Sequence, residues 1–285
     1  MNISPRCHAV DTSNGRISVA EYGQGAPTIV MIHGNSSCRE VFSRQAQSRL
    51  AQSCRIVTFD LPGHGRSSDA PDPVRTYTRA GLADAVQELL GHLGIAEAVL
   101  VGWSLGGHLA IELLPRFAGM RGLLVTGSPP VRAGGMAEGF RILPGGGFAG
   151  RRDLDEADVD DFARAMFGEP VEPFLRQAIV RADGRFRPRL FEASREGVGI
   201  DQRLAVEASR VPIAVVNGAE DPLIRLDYLD TVAYGNLWSG RCHRFAGVGH
   251  APFWHAPEVF NDLLERFVRD VGAGAAAPAA GAGVS

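Results

Sequence analysis

Five short apolar runs, at residues 28–32, 56–59, 98–101, 123–125 and 213–216, punctuate the sequence, each bounded by Gly, Pro or Asp. Continuous apolar runs of this length suit strands buried on both faces. Between them lie segments whose apolar residues recur three and four apart, as Leu82, Ala85, Val86, Leu89, Leu90 and Leu93 do. Val259, Phe260, Leu263, Leu264, Phe267, Val268 and Val271 repeat the pattern near the end. That spacing paints one face of a helix. Alternation of buried strands with amphipathic helices leaves few architectures open: the strands pair in parallel and the helices cross over both faces of the sheet. A length of 285 residues supplies the interior for one large domain or two small ones.

The alternation fails over residues 129–204, where no buried strand is evident and Gly, Arg and Phe become frequent. This stretch reads as an insertion that forms a helical cap over the sheet. Residues 153–167 open with acidic side chains, as a helix N-terminus prefers, and segments 173–182 and 188–196 suggest two further helices. Residues 139–150 contain Pro144-Gly145-Gly146-Gly147 and read as a mobile loop. The predicted organisation is a core from 1–128 and 205–271, a cap at 129–204, and an Ala/Gly tail at 272–285 that is expected to be disordered.

Composition excludes several partners. The 29 basic and 32 acidic side chains give a formal charge of −3, with no footprint for a polyanion, so nucleic acid is not expected. No run reaches the about eighteen apolar residues of a membrane span, and the first ten residues lack a signal-peptide layout, so a cytoplasmic location is expected. Cys7, Cys38, Cys54 and Cys242 are scattered without a C-x-x-C pair and read as isolated thiols rather than a zinc or disulfide framework.

Gly102-Trp103-Ser104-Leu105-Gly106-Gly107 sits between the run 98–101 and a helical segment. A strand turning sharply into a helix strains its turning residue, and small flanking residues let the two elements approach, so Ser104 would project at the sheet's carboxyl edge. A serine hydroxyl needs a base, and the base an orienting group. Asp221 follows the run 213–216, with Pro222 completing a turn, and His250 follows a later short strand, which gives the order Ser104, Asp221, His250. Glu220 is the rival acid and His255 the rival base; His108 and His243 read as structural. The N–H of Leu105, and that of Asn35 in His33-Gly34-Asn35, are the natural donors to an oxyanion.

These motifs, together with Gln24-Gly25-Ala26-Pro27 and Asp60-Leu61-Pro62-Gly63-His64-Gly65-Arg66-Ser67-Ser68, resemble the α/β-hydrolase fold family over about residues 16–271. The resemblance implies an eight-stranded, mostly parallel sheet and Ser-Asp-His catalysis, with His64 structural. Serine rather than aspartate at position 104 speaks against the epoxide-hydrolase and haloalkane-dehalogenase branches. The cap is similar to those of small bacterial esterases, lactonases and carbon–carbon bond hydrolases.

The expected activity is therefore a serine hydrolase, of the carboxylesterase or lactonase type, that needs no metal or organic cofactor. Trp103, Met136, Phe140, Phe148, Met166, Phe167, Phe174, Phe253 and Trp254 are candidates to line an apolar pocket for a medium-length acyl or aromatic group. A general ester ranks first and an acyl-homoserine lactone close behind. Two readings from other classes stay open: a catalytically weak receptor on the same fold, and a cofactor-free oxygenase with His250 as base.

Overall fold

A computed structural model describes residues 4–132, 134–141 and 147–275. Among them, strands β1 (Arg6–Thr12), β2 (Gly15–Tyr22), β3 (Thr28–Ile32), β4 (Arg55–Phe59), β5 (Ala98–Trp103), β6 (Met120–Thr126), β7 (Ile213–Gly218) and β8 (His243–Phe245) form one sheet. The spatial order is β1-β2-β4-β3-β5-β6-β7-β8. Strand β2 is antiparallel to both its neighbours, and every other pair is parallel. All five apolar runs are strands, because each side of the sheet has its own core. Val30, Ile32, Leu100 and Val215 feed one cluster, while Ile29, Met31, Val99, Val101 and Val216 feed the other.

Helix α1 (Arg79–His92), capped by Thr78 Oγ1 accepting from the Gly81 N–H, packs Leu82, Val86 and Leu89 into the first cluster. Helix α2 (Leu105–Glu112) is buried along its whole length. Between β6 and β7 lie α3 (Glu156–Phe167), α4 (Pro173–Arg181), α5 (Phe186–Arg195) and α6 (Gln202–Ala208), and no strand interrupts them. Asp155 starts α3 with a reciprocal capping box to Asp158. Helix α6 went unread in the sequence because its seven residues are too few to show a period. Helix α7 (Pro257–Ala275) runs past position 272, where the tail was expected to begin; residues 276–285 lie outside the described residues. Its buried face starts at Phe260, and Val259, counted in that stripe, is 56% exposed. Of the expected loop, residues 142–146 also lie outside the described set, while Phe148–Gly150 forms a single tight turn.

The chain passes from β3 to β4 on one side and returns with β5 on the other. That reversal opens a crevice at the carboxyl ends of β3 and β5, where open α/β sheets bind ligands. His33-Gly34-Asn35 and Ser104 both emerge there. No helix among the described residues is long and apolar enough to cross a membrane.

Candidate active site

Ser104 takes the backbone angles φ 53° and ψ −119°, outside the regions that L-residues normally occupy. Such a conformation costs on the order of 1–3 kcal/mol and persists only where its surroundings impose it. Here the Ser104 N–H donates to the Thr126 carbonyl at 2.8 Å, and its carbonyl accepts from Ser128 Oγ at 2.8 Å and from the Gly107 N–H at 3.0 Å. The flanking glycines are steric necessities. A Cβ on Gly102 would lie 2.5 Å from the Gly106 carbonyl oxygen, and one on Gly106 only 2.0 Å from that of Ile32. Ser104 is thus held at the start of α2 with its side chain partly open to a cavity.

Across that cavity, His250 Nδ1 is 2.8 Å from Asp221 Oδ2, with both side chains buried. Asp221 Oδ1 accepts from the N–H groups of Leu223 at 2.8 Å and Ile224 at 3.2 Å, which orient the carboxylate. A carboxylate only accepts, so this network assigns the proton to Nδ1 and leaves Nε2 as a lone-pair acceptor. Nε2 is buried and has no hydrogen-bond partner among the described residues, Ser104 Oγ included. A loose nucleophile–base contact is common in an unliganded site. The backbone carbonyl of His250 accepts from Trp103 Nε1 at 2.9 Å, and the ring rests on Gly127, where a Cβ would come within 2.5 Å of Cε1.

The rival residues are engaged elsewhere. Glu220 is exposed and accepts from the Val248 N–H at 2.8 Å, tying the turn after β7 to the one after β8. His255 is exposed, and His243 lies 2.7 Å from Ser239 Oγ.

On the other flank, the loop after β3 rests on two fully buried imidazoles. His33 Nε2 accepts from the Leu61 N–H at 3.0 Å, and its Nδ1 is 2.8 Å from the Gly34 carbonyl. His64 Nε2 accepts from the Ser36 N–H at 3.2 Å, and its Nδ1 is 3.0 Å from the Pro62 carbonyl. Burial pushes both below the usual histidine range, His64 to about 3 with help from the neighbouring His33, so both are neutral. The Asn35 side chain donates to the Ala149 carbonyl at 3.0 Å and accepts from Ser36 Oγ at 2.9 Å. Ser36 Oγ in turn accepts from Arg187 of α5 at 3.0 Å, and the same buried guanidinium donates to the carbonyls of Arg151 and Arg152. The backbone N–H groups of Asn35 and Leu105 meet no acceptor among the described residues, and both residues line the cavity.

That cavity encloses about 310 Å³. Ser104, His250, Asn35 and Leu105 bound one side, and Met136, Phe140, Phe162, Met166, Leu190 and Phe191 supply most of the apolar wall. Of the aromatic and Met candidates, Met136, Phe140 and Met166 are in this lining. Trp103, Phe148, Phe167, Phe174, Phe253 and Trp254 are not, which corrects the expectation for them. Trp103 and Phe253 are fully buried behind the site and pack edge-on, with Phe167 against the same indole. Phe174 packs on Trp254, and Phe148 stacks behind Phe162. Conversely, Arg79, His108, Arg141 and Ser194 line the cavity although nothing in the sequence marked them for it. His108, expected to be structural, has Nδ1 2.7 Å from Gln202 Oε1 and is pushed down to about 4 by burial, so it presents a neutral ring. No cluster of His, Cys, Asp or Glu suited to a metal occurs among the described residues.

Comparison with known proteins identifies the family. The model of the alpha/beta hydrolase family matches residues 29–263, and the chain belongs to that family. It is 27% identical to the AB hydrolase superfamily protein YisY of Bacillus subtilis, over 87% of this chain and 94% of that protein. It is 29% identical to the pimeloyl-[acyl-carrier protein] methyl ester esterase of Aromatoleum aromaticum, over 85% of this chain and 98% of that one. Among solved structures, the N-acyl homoserine lactonase AidH in complex with N-butanoyl homoserine superposes with a TM-score of 0.91 at 45% identity, covering 93% of this chain and 97% of AidH.

Proposed function

We propose that this protein opens lactones of the N-acyl homoserine type through a covalent acyl-enzyme on Ser104. The observation that carries the reading is that Ser104 and the unpartnered Nε2 of His250 share one cavity with two unengaged N–H groups. The likeness to AidH supports a lactone as substrate, and the apolar wall supports a medium-length acyl chain.

In the proposed reaction His250 Nε2 takes the Ser104 proton as Oγ bonds to the carbonyl carbon, and Asp221 stabilises the imidazolium that results. The oxyanion is held by the Asn35 and Leu105 N–H groups, which have no other acceptor among the described residues. Collapse breaks the ring C–O bond, and His250 returns its proton to the alkoxide, which stays tethered to the acyl group as a hydroxyl. Water then attacks the acyl-enzyme, gives its proton to His250, and the acid departs as Ser104 regains its hydrogen. Residues 129–204 serve as the cap over the core, and no cofactor enters any step. An open-chain ester is the second reading, supported by the likeness to the methyl ester esterase.

The test is kcat/KM for N-butanoyl, N-hexanoyl and N-octanoyl homoserine lactones beside aryl esters of the same acids, with Ser104→Ala as control. Lactones should lead, and Ser104→Ala should reduce turnover by about 10⁴-fold or more. Lactone opening at the parental rate in that variant would remove Ser104 from the mechanism, and a tenfold lead for the aryl esters would favour the second reading.

A further inference from the structure

The cavity follows helix α2. Ser104 stands at the helix start, His108 lines the cavity one turn on, and Arg79 lies over Glu112 two turns on. Arg79 is more than nine-tenths buried, yet its guanidinium donates to no described residue. Its Nε is sealed and unpartnered, and the nearest acid oxygen, Glu112 Oε1, is 3.7 Å away, beyond hydrogen-bond length. Glu112 is occupied otherwise, accepting from the Ile200 N–H at 3.1 Å and from Gln202 Nε2 at 3.3 Å. Glu112 therefore gives Arg79 a neighbouring charge but no hydrogen bond. Burying a guanidinium is costly unless its donors are satisfied, and a buried ion pair repays desolvation only with close hydrogen-bonded geometry. Arg79 has five donors in a planar fork, cannot shed its proton, and borders a mostly apolar chamber; the other guanidinium in the lining, Arg141, already donates through Nε to the Ile224 carbonyl at 3.2 Å.

We propose that Arg79 is the group that recognises the far part of the acyl chain, donating to an oxygen acceptor carried there, a ketone or a carboxylate. The inference deepens the reading of the cavity as an acyl site and rests on it. Helix geometry fixes the reach. Eight residues at about 1.5 Å each separate Ser104 from Glu112 by roughly 12 Å. Subtracting about 3 Å for the hydrogen bond leaves roughly 9 Å, which is about seven bonds of extended chain at ~1.2 Å per bond. In an open-chain ester those bonds run along the acid, and in an N-acyl homoserine lactone they pass through the amide into the acyl chain; a chain without an acceptor there leaves the fork without a ligand partner, whereas one oxygenated six or seven bonds from the scissile carbonyl supplies it.

Calorimetric titration of the Ser104→Ala protein tests this without any need for turnover. The probes are methyl octanoate, methyl 7-oxooctanoate and monomethyl suberate. The expected result is binding of one or both oxygenated esters about tenfold to a hundredfold more tightly than the octanoate, the range of a hydrogen bond to a charged group. Preference for the suberate alone identifies a carboxylate, and preference for both identifies any oxygen acceptor. The preference should fall below about threefold in Ser104→Ala/Arg79→Met. Adding Glu112→Gln removes the buried charge left behind, should the first variant fold poorly. Equal affinities, failure of all three to bind, or a preference that survives loss of Arg79 would overturn the proposal. The lactone panel described above reports on hydrolysis independently, so the two ideas fail separately.

Discussion

Two histidine environments flank the crevice above β3 and β5, and they differ in one respect. His33 and His64 have both ring nitrogens in contact with backbone groups and sit in the core as neutral struts. His250 is as deeply buried, but only its Nδ1 is engaged, while Nε2 has no partner and the residue borders the cavity. Complete satisfaction of a buried imidazole spends its capacity on holding a loop. Half satisfaction fixes the tautomer and leaves a basic lone pair for a proton. Among these three rings burial does not separate the proposed base from the two struts; the unfilled Nε2 in the cavity that Ser104 also lines does.

Exchanging the two roles should give the largest effects. His250→Ala is expected to reduce kcat by about 10⁴-fold or more, with a melting temperature close to that of the parent. His64→Ala should reverse the pattern, losing about 2–4 kcal/mol of stability, because the Ser36 N–H is left unsatisfied and a void opens, while rates per folded molecule fall far less. Chemical denaturation beside steady-state kinetics separates the two, and comparable kinetic losses would erase the distinction.

Acid should sharpen it next. His64 and His108 have folded-state values pushed down to about 3 and about 4, below the ordinary value of 6.5, and His33 is lowered too. The unfolded chain therefore binds more protons between these values and about 6.5, so stability is fully present above about pH 6.5 and is lost as pH falls towards 3–4. Each such histidine contributes about 1.4 kcal/mol per pH unit within its window. Melting followed from pH 8 to pH 4 should show this slope, and His64→Gln should be less stable at pH 8 yet less sensitive to acid. An unchanged slope would mean that His64 is not among the groups responsible.

The smallest effect concerns the support beneath the base. Trp103→Phe removes the Nε1 donor to the His250 carbonyl while keeping most of the ring packing. A cost of about 1 kcal/mol and a several-fold fall in kcat, with KM little changed, are expected. A change confined to KM would instead place the indole in contact with substrate.

Much of this was legible before any coordinates. A parallel strand buried on both faces has to be apolar throughout, so residues 98–101 and 213–216 could be located from composition alone. The elbow was legible because α2 lies so close to β5 at position 102, and to the end of β3 at position 106, that only glycine fits at either. Asp221 could be preferred to Glu220 from the Asp-Pro turn, and the structure directs Glu220 to the Val248 backbone instead. The cavity lining was not legible. Apolar character indicates that Trp103, Phe167 and Phe253 avoid water, but whether they do so in the wall or behind it depends on how helices from distant parts of the chain meet. Arg79 and His108 were missed for the converse reason, since each occupies a helix that looks purely architectural in sequence.

The clasp made by Arg187 has a consequence for how the molecule breathes. One guanidinium grips the carbonyls of Arg151 and Arg152 and the hydroxyl of Ser36, the residue after Asn35. Lifting the roof by more than an ångström or two would strand that cation and release the backbone beside it. In the proposed reaction that backbone carries an oxyanion donor, so a single guanidinium ties the segment at residues 151–152 to the group that would stabilise negative charge.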